Sequence, residues 1–171
     1  AVWASLWTRR AAQSRRQYGI AHEQAQMAVL IQQMVEPEYS FVLHTSDPAT
    51  GERGRVGMEI AAGLGETLVS ADQPGQPWRL SAGRGQPPVL HSCASFSFAR
   101  MPSDSEGVAD LRIDYSRLPL ACSGESLYRL AERLAEVGHF IDEHLGGAQD
   151  IEGVVAGGEI FVVQSRPQAG A

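Results

Sequence analysis

The sequence predicts an α+β fold, mainly antiparallel sheet with packed helices. Three observations support it. A glycine pair, Gly157-Gly158, joins two runs of strand character and marks a β-hairpin. Several other short runs alternate between apolar and polar residues and are separated by Gly, Pro and Asp turn signals. Finally, Leu127, Leu130, Leu134, Val137, Ile141 and Leu145 recur at helical spacing and form one long apolar stripe. With 171 residues, 43% of them hydrophobic, the chain can bury a core as one domain or one large lobe.

At the N-terminus, Val2, Trp3, Leu6 and Trp7 sit near helical spacing, with Arg9, Arg10, Arg15 and Arg16 toward the far end, where they suit the helix dipole. Residues 2–18 therefore read as one helix ended by Gly19, its arginines a solvated face. Residues 27–35, MAVLIQQMV, are apolar except for Gln32 and Gln33 and read as a buried strand stopped by Glu36-Pro37-Glu38. A strand over 39–45 places Phe41, Leu43 and Thr45 on one face and Val42 and His44 on the other, before an Asp47-Pro48-Ala49-Thr50-Gly51 turn. Its His44-Thr45-Ser46 end suits either ligand-binding hydroxyls or simple strand-end capping.

Residues 59–70 pass from an apolar strand through Gly63-Leu64-Gly65 into a short helix starting near Glu66. Glycines allow close backbone approach, and N–H groups at a helix start can hold phosphate. The G-x-G-x-x-G spacing and the Lys-Ser/Thr of a P-loop are both absent, which removes Rossmann and Walker readings. Residues 71–88 read as a loop with a brief strand at 77–81, and strands at 89–100 and 111–115 are joined by a polar connector over 102–110. The long helix begins with Ser123 as N-cap and runs to Gly146-Gly147.

The hairpin carries the densest polar pattern. Asp150 and Glu152, like Gln164 and Arg166, are one residue apart, so each pair shares a strand face. A three-residue loop centred on Gly158 places Glu152 opposite Gln164 and Asp150 opposite Arg166. A two-residue turn moves every partner by one and sends Gln164 to the other face. Spacing alone leaves open a ligand site or a wet sheet face with cross-strand polar pairs.

All 14 Lys+Arg residues are arginine, against 20 Asp+Glu, for a net charge of −6. That balance argues against a general nucleic-acid surface but is compatible with a small anion held by a divalent ion and an arginine. A phosphate-binding lysine would have to come from elsewhere. Cys93 and Cys122 lack metal-site spacing, the five histidines form no H-E-x-x-H motif and read as structural or surface residues, and no G-x-S-x-G elbow is present. No apolar run is long enough to span a bilayer. The chain does not begin with Met and opens directly on a helix, as an excised piece of a longer protein would.

Taken together, VWASLWTRRA, MAVLIQQMV, FVLHTSDPATG, EIAAGLGETLVS and QDIEGVVAGGEIFVVQSRPQ resemble the ATP-binding domain shared by pyruvate phosphate dikinase, phosphoenolpyruvate synthase and the starch-phosphorylating dikinases. The likeness extends over residues 1–171 in the family's order. SFVLHT, PWRLS, IDYSRLPL and QDIEG are most similar to the phosphoglucan, water dikinase type, with glucan, water dikinase as neighbour.

The resemblance implies the C-terminal portion of an ATP-grasp domain. It implies a first lobe with a phosphate-binding lysine and arginine, a phosphohistidine domain and starch-binding modules upstream, and a plastid location. By resemblance, Glu152 and Gln164 are magnesium ligands, and Arg166 and Glu152 are catalytic. Asp150 orients that set or the ribose. Gln32, Gln33, Met34 and Val35 form the adenine hinge, Thr45 supplies a phosphate-side hydroxyl, and Gly63, Gly65 and Glu66 form a glycine loop. ATP and Mg²⁺ are the implied ligands. Pyruvate-type dikinases and a non-catalytic nucleotide-binding regulatory domain are the alternatives. Ala148 stands where the starch enzymes tend to have proline.

Overall fold

The computed structural model describes residues 2–69, 74–103 and 107–168. They form two compact units, Ala1–Met34 and Val35–Ala171.

Over the described residues 2–18 the first unit forms two α-helices, α1 (Val2–Ser5) and α2 (Arg9–Gln17), where the apolar spacing predicts one. The break falls at Thr8, whose extended backbone and Oγ1, accepting from Ala11 N at 3.3 Å, make it the N-cap of α2. Local capping chemistry overrides the periodicity there. Gly19 ends α2 as expected, with φ +67°. Arg15 does not join the solvated face. It is buried, donates to Leu6 O at 2.8 Å and His22 Nδ1 at 3.1 Å, and lies 5.6 Å from the Trp7 ring centroid.

The strand expected at 27–35 does not form. The segment is irregular, and Leu30 and Ile31 are 78% and 92% exposed. A strand needs a neighbour for its N–H and C=O groups, and none of the described strands pairs with this stretch.

The second unit is α+β. Its main sheet contains β1 (Tyr39–Ser46), β2 (Arg53–Ala62), β3 (Trp78–Gly83), β4 (Val89–Ser92), β7 (Gln149–Ala156) and β8 (Glu159–Pro167) in the order β4-β3-β2-β1-β7-β8, all neighbours antiparallel. A separate hairpin pairs β5 (Phe98–Ser103) with β6 (Gly107–Arg112). The run predicted as one strand at 89–100 is thus divided between two sheets. The strand expected at 111–115 is the end of β6, followed by a 3₁₀ turn at Tyr115–Arg117, where Asp114 Oδ1 accepts from Ser116 N at 3.1 Å. Helix α3 (Glu66–Val69) starts where expected; Ser70, positions 71–73 of the expected loop and 104–106 of the connector lie outside the described residues. Helix α4 (Pro119–Cys122) precedes α5 (Gly124–Leu145), which is capped by Ser123 and closed by Gly146 at φ +73°.

Helix α5 packs against the sheet and creates the core. Tyr39, Phe41 and Leu43 of β1, Val56, Met58 and Ile60 of β2, Trp78 and Leu80 of β3, and Ile151 of β7 are buried with Leu127, Leu130, Ala131, Leu134 and Ala135 of α5. The buried line continues to Gly138, whose missing side chain lets Val56 approach. Val137 and Ile141 therefore flank the line, and Leu145 is 61% exposed, so the far end of the predicted stripe is not core.

Candidate functional site

Strand alternation that buries Phe41 and Leu43 turns Val42 and His44 to the opposite face. Pairing extends that face across the sheet in two rows. One runs Arg79, Glu59, Val42, Glu152 and Gln164; the other runs Ser81, Gly57, His44, Asp150 and Arg166. Asp150 therefore stands opposite Arg166, and Glu152 opposite Gln164, on one polar sheet face.

The turn that achieves this differs from the three-residue loop expected. Gly157 and Gly158, at φ +58° and +76°, form a two-residue turn, and Ala156 pairs with Glu159. That register holds to Gly153 opposite Val162 and then shifts, leaving Val163 as an unpaired bulge residue before Glu152 meets Gln164. The bulge supplies the one-residue offset assigned from sequence to the turn.

Electrostatics tighten the patch. Arg166 Nε and Nη2 donate to Asp150 Oδ2 at 2.9 and 2.7 Å, and this carboxylate pushes the guanidinium pKa further up. The Asp150 side chain is 14% exposed, and its Oδ1 is sealed from solvent without a hydrogen bond; His44 Nε2 lies 3.8 Å away. Among the described residues, neither the Glu152 carboxylate nor the Gln164 amide has a hydrogen-bonding partner. Their oxygens form a donor set suited to a hard divalent cation that takes its other ligands from phosphate and water. No group of three or more His, Cys, Asp or Glu side chains among the described residues is placed to hold a metal by itself.

The start of β7 is held firmly. Buried Gln149 donates its N–H to Thr45 Oγ1 at 2.8 Å, and its side-chain oxygen accepts from Ser165 Oγ at 3.0 Å. Beyond β8, the Gln168 amide bonds Ser46 N and O at 3.3 and 2.9 Å. Thr45 thus differs from the expected phosphate-side hydroxyl: it is 2% exposed on the α5 side of β1, and its hydroxyl is engaged by Gln149.

Gly63, Gly65 and Glu66 do not join this patch. Gly63 ends β2 at φ +79° against the Arg100 carbonyl, and Leu64 N donates to that oxygen at 2.8 Å. Glu66 pairs with Arg100 at 3.4 Å, and Gly65 has open space where a side chain would stand. These three sit beyond the Tyr39–Ala62 end of the sheet, four to seven residues past Glu59 on the chain. Gln32, Gln33 and Met34 are exposed in the first unit, and half-buried Val35 begins the second.

Residues not singled out from sequence also line the polar face. A cleft of about 430 Å³ beside the patch is lined by His44, Gly57, Glu59, Arg79, Ser81 and His91, among others. Arg79 Nε donates to Glu59 at 2.7 Å, and Ser81 Oγ lies 2.9 Å from His91 Nε2. The alternation of 39–45 already separated His44 from the core; only the pairing with β7 shows that its neighbour is Asp150.

The sequence matches the family described as pyruvate phosphate dikinase, AMP/ATP-binding domain, over residues 1–171. It is 35% identical to the chloroplastic alpha-glucan water dikinase of Solanum tuberosum, across 98% of this chain and 13% of that protein. It is 37% identical to alpha-glucan water dikinase 2 of Arabidopsis thaliana, across 98% of this chain and 15% of that protein. A probable phosphoenolpyruvate synthase of Archaeoglobus fulgidus is 33% identical, across 96% of this chain and 21% of its own length. The chain spans about a fifth or less of these relatives. No described helix is long and apolar enough to cross a membrane.

Proposed function

Because the chain belongs to the pyruvate phosphate dikinase AMP/ATP-binding domain family, we propose that the polar face of its sheet is one wall of a Mg·ATP site in an ATP-grasp domain, serving the first half-reaction of a dikinase. The observation that carries this reading is the pairing of Asp150 with Arg166 and Glu152 with Gln164 on one face. Glu152 and Gln164 would hold magnesium, which when bound neutralises charge on the ATP phosphates.

Arg166 is the phosphate clamp. Asp150 holds one edge of its guanidinium, which fixes its direction and leaves Nη1 without a protein partner among the described residues. Arg166 and Glu152 are the catalytic candidates of this reading. Thr45 is reassigned from ligand contact to support, since it anchors the start of β7 through Gln149. Gln32, Gln33, Met34 and Val35 remain the proposed adenine hinge, and Gly63, Gly65 and Glu66 the proposed glycine loop.

In the complete protein, the β-phosphate of ATP would pass to a histidine of another domain, the γ-phosphate to water, and the phosphohistidine to a glucosyl residue. AMP, orthophosphate and phosphorylated glucan would result. The two relatives named alpha-glucan water dikinases support a starch-type acceptor, and the motifs PWRLS and IDYSRLPL favour the phosphoglucan variant. The chloroplastic potato relative supports a plastid location. The relative named a probable phosphoenolpyruvate synthase keeps a pyruvate-type acceptor as the second reading.

The test uses the full-length protein and ATP labelled at the β-phosphate. Wild type should transfer label to a histidine with Mg²⁺ present, and Glu152→Ala and Arg166→Ala should each reduce the rate about a hundredfold or more. Undiminished labelling in both variants would overturn the assignment. Adding glucan, phosphoglucan or pyruvate then identifies the acceptor that discharges the phosphohistidine.

A further inference from the structure

Among the described residues, the cross-strand row through β1, β7 and β8 contains one buried side-chain polar atom without a hydrogen-bond partner. Asp150 Oδ2 receives both Arg166 donors, while Oδ1 is buried and makes no hydrogen bond. The registered neighbour of Asp150 on β1 is His44, whose Nε2 lies 3.8 Å from that oxygen.

We propose that His44 is a positioning residue for Arg166, acting through Asp150. A buried carboxylate oxygen without a donor is unfavourable, and a donor to a charged acceptor gives one of the stronger hydrogen bonds available. The imidazole has room to supply it. Its side chain is 31% exposed, and its other cross-strand neighbour is Gly57, which has no side chain. A small rotation brings Nε2–H of the neutral tautomer, or of the imidazolium, within hydrogen-bonding range of Oδ1.

With both oxygens engaged, the carboxylate plane is fixed between β1 and β8. The direction in which Oδ2 presents the Arg166 guanidinium is then fixed as well. His44 also lines the cleft beside the patch, so it stands between that space and the Asp150–Arg166 pair. Glu152 lies two residues along β7 from Asp150, and Ser81 lies beyond Gly57 in the same row.

The inference rests on the Mg·ATP reading of this face, and its test separates the two. Mg·ATP is titrated calorimetrically into full-length wild type, His44→Phe, His44→Gln and Arg166→Ala, with melting temperatures measured in parallel. His44→Phe should weaken affinity by about tenfold with little change in melting temperature, and His44→Gln, whose amide can reach Oδ1, should recover most of the loss. Wild-type affinity in His44→Phe alongside weak binding by Arg166→Ala would overturn the role of His44 and leave the site reading intact. Equal losses in His44→Phe and His44→Gln would also overturn it, since the donor would then not matter. Unchanged affinity in Arg166→Ala would instead overturn the site reading.

Discussion

Gly153 occupies a position that tolerates no side chain. It lies opposite Val162 on β8 and beside Phe41 on β1, and a Cβ there would run into the buried Phe41 ring and come within 2.5 Å of the Phe161 carbonyl oxygen. Gly153→Ala should therefore destabilise the domain by about 3 kcal/mol, in the overpacking range. Denaturant unfolding followed through buried Trp78 measures it, and Phe41→Leu in the same chain should return part of the loss. Residue-level signals in the sequence are uneven in value. The Asp47 turn was fully legible because its chemistry is local: Asp47 Oδ1 accepts from the N–H groups of Ala49 and Thr50. Thr45 was less so. Its alternation with Phe41 and Leu43 pointed to the core, whereas the resemblance pointed to phosphate; the structure follows the alternation.

At the level of elements, helices were easier to read than strands because their hydrogen bonds and caps lie close in sequence. Ser123 is the example: its Oγ accepts from Ser126 N at 3.1 Å at the start of the 22-residue α5. Ser123→Ala should lower stability by about 1 kcal/mol, whereas Ser123→Gly should cost only a few tenths. Comparing denaturant midpoints of the two variants checks this, and equal losses would show that Oγ does not cap α5. Strands depend on partners that local sequence does not name. The run 27–35 has strand composition and no partner strand, and 89–100 is divided because β5 pairs with β6 while β4 pairs with β3. The site pairs were legible as residues opposite one another, but the bulge that aligns them was not, since Val163 carries no turn signal.

Across the whole molecule, two buried phenols set the alkaline limit of stability. Burial pushes the Tyr115 hydroxyl up to about 12, despite the hydrogen bond it accepts from Ala62 N, and burial raises Tyr39 as well. An unfolded tyrosine ionises near pH ~10, so the unfolded chain loses these protons first. Stability is therefore unaffected by these groups below about pH 10 and falls between about 10 and 12. His139 acts with the opposite sign. Burial, with help from Arg84, lowers its pKa, so its contribution is present above the unfolded value of about 6.5 and is lost as pH drops through the folded one. Melting temperature measured across pH checks both limbs, and Tyr115→Phe should flatten part of the alkaline one. A decline already complete by pH 9 would contradict the tyrosine assignment. At this scale the α+β class and the polar face were foreseeable, but the order β4-β3-β2-β1-β7-β8 was not, because it depends on long-range pairings.

The unpaired Val163 separates the hairpin into a tip and a base with different phases. Rungs from Ala156–Glu159 to Gly153–Val162 follow the tip, whereas Glu152–Gln164 and Asp150–Arg166 follow the base, which Gln149 and Gln168 tie to β1. Pairing with β1 holds β7 along both parts, from Tyr39–Val155 to His44–Asp150. Residues added between Gly157 and Gly158 lengthen the exposed end of the ribbon without turning the four polar side chains, so the tip is the place where the chain can carry a tag or probe while its chemistry stays in register.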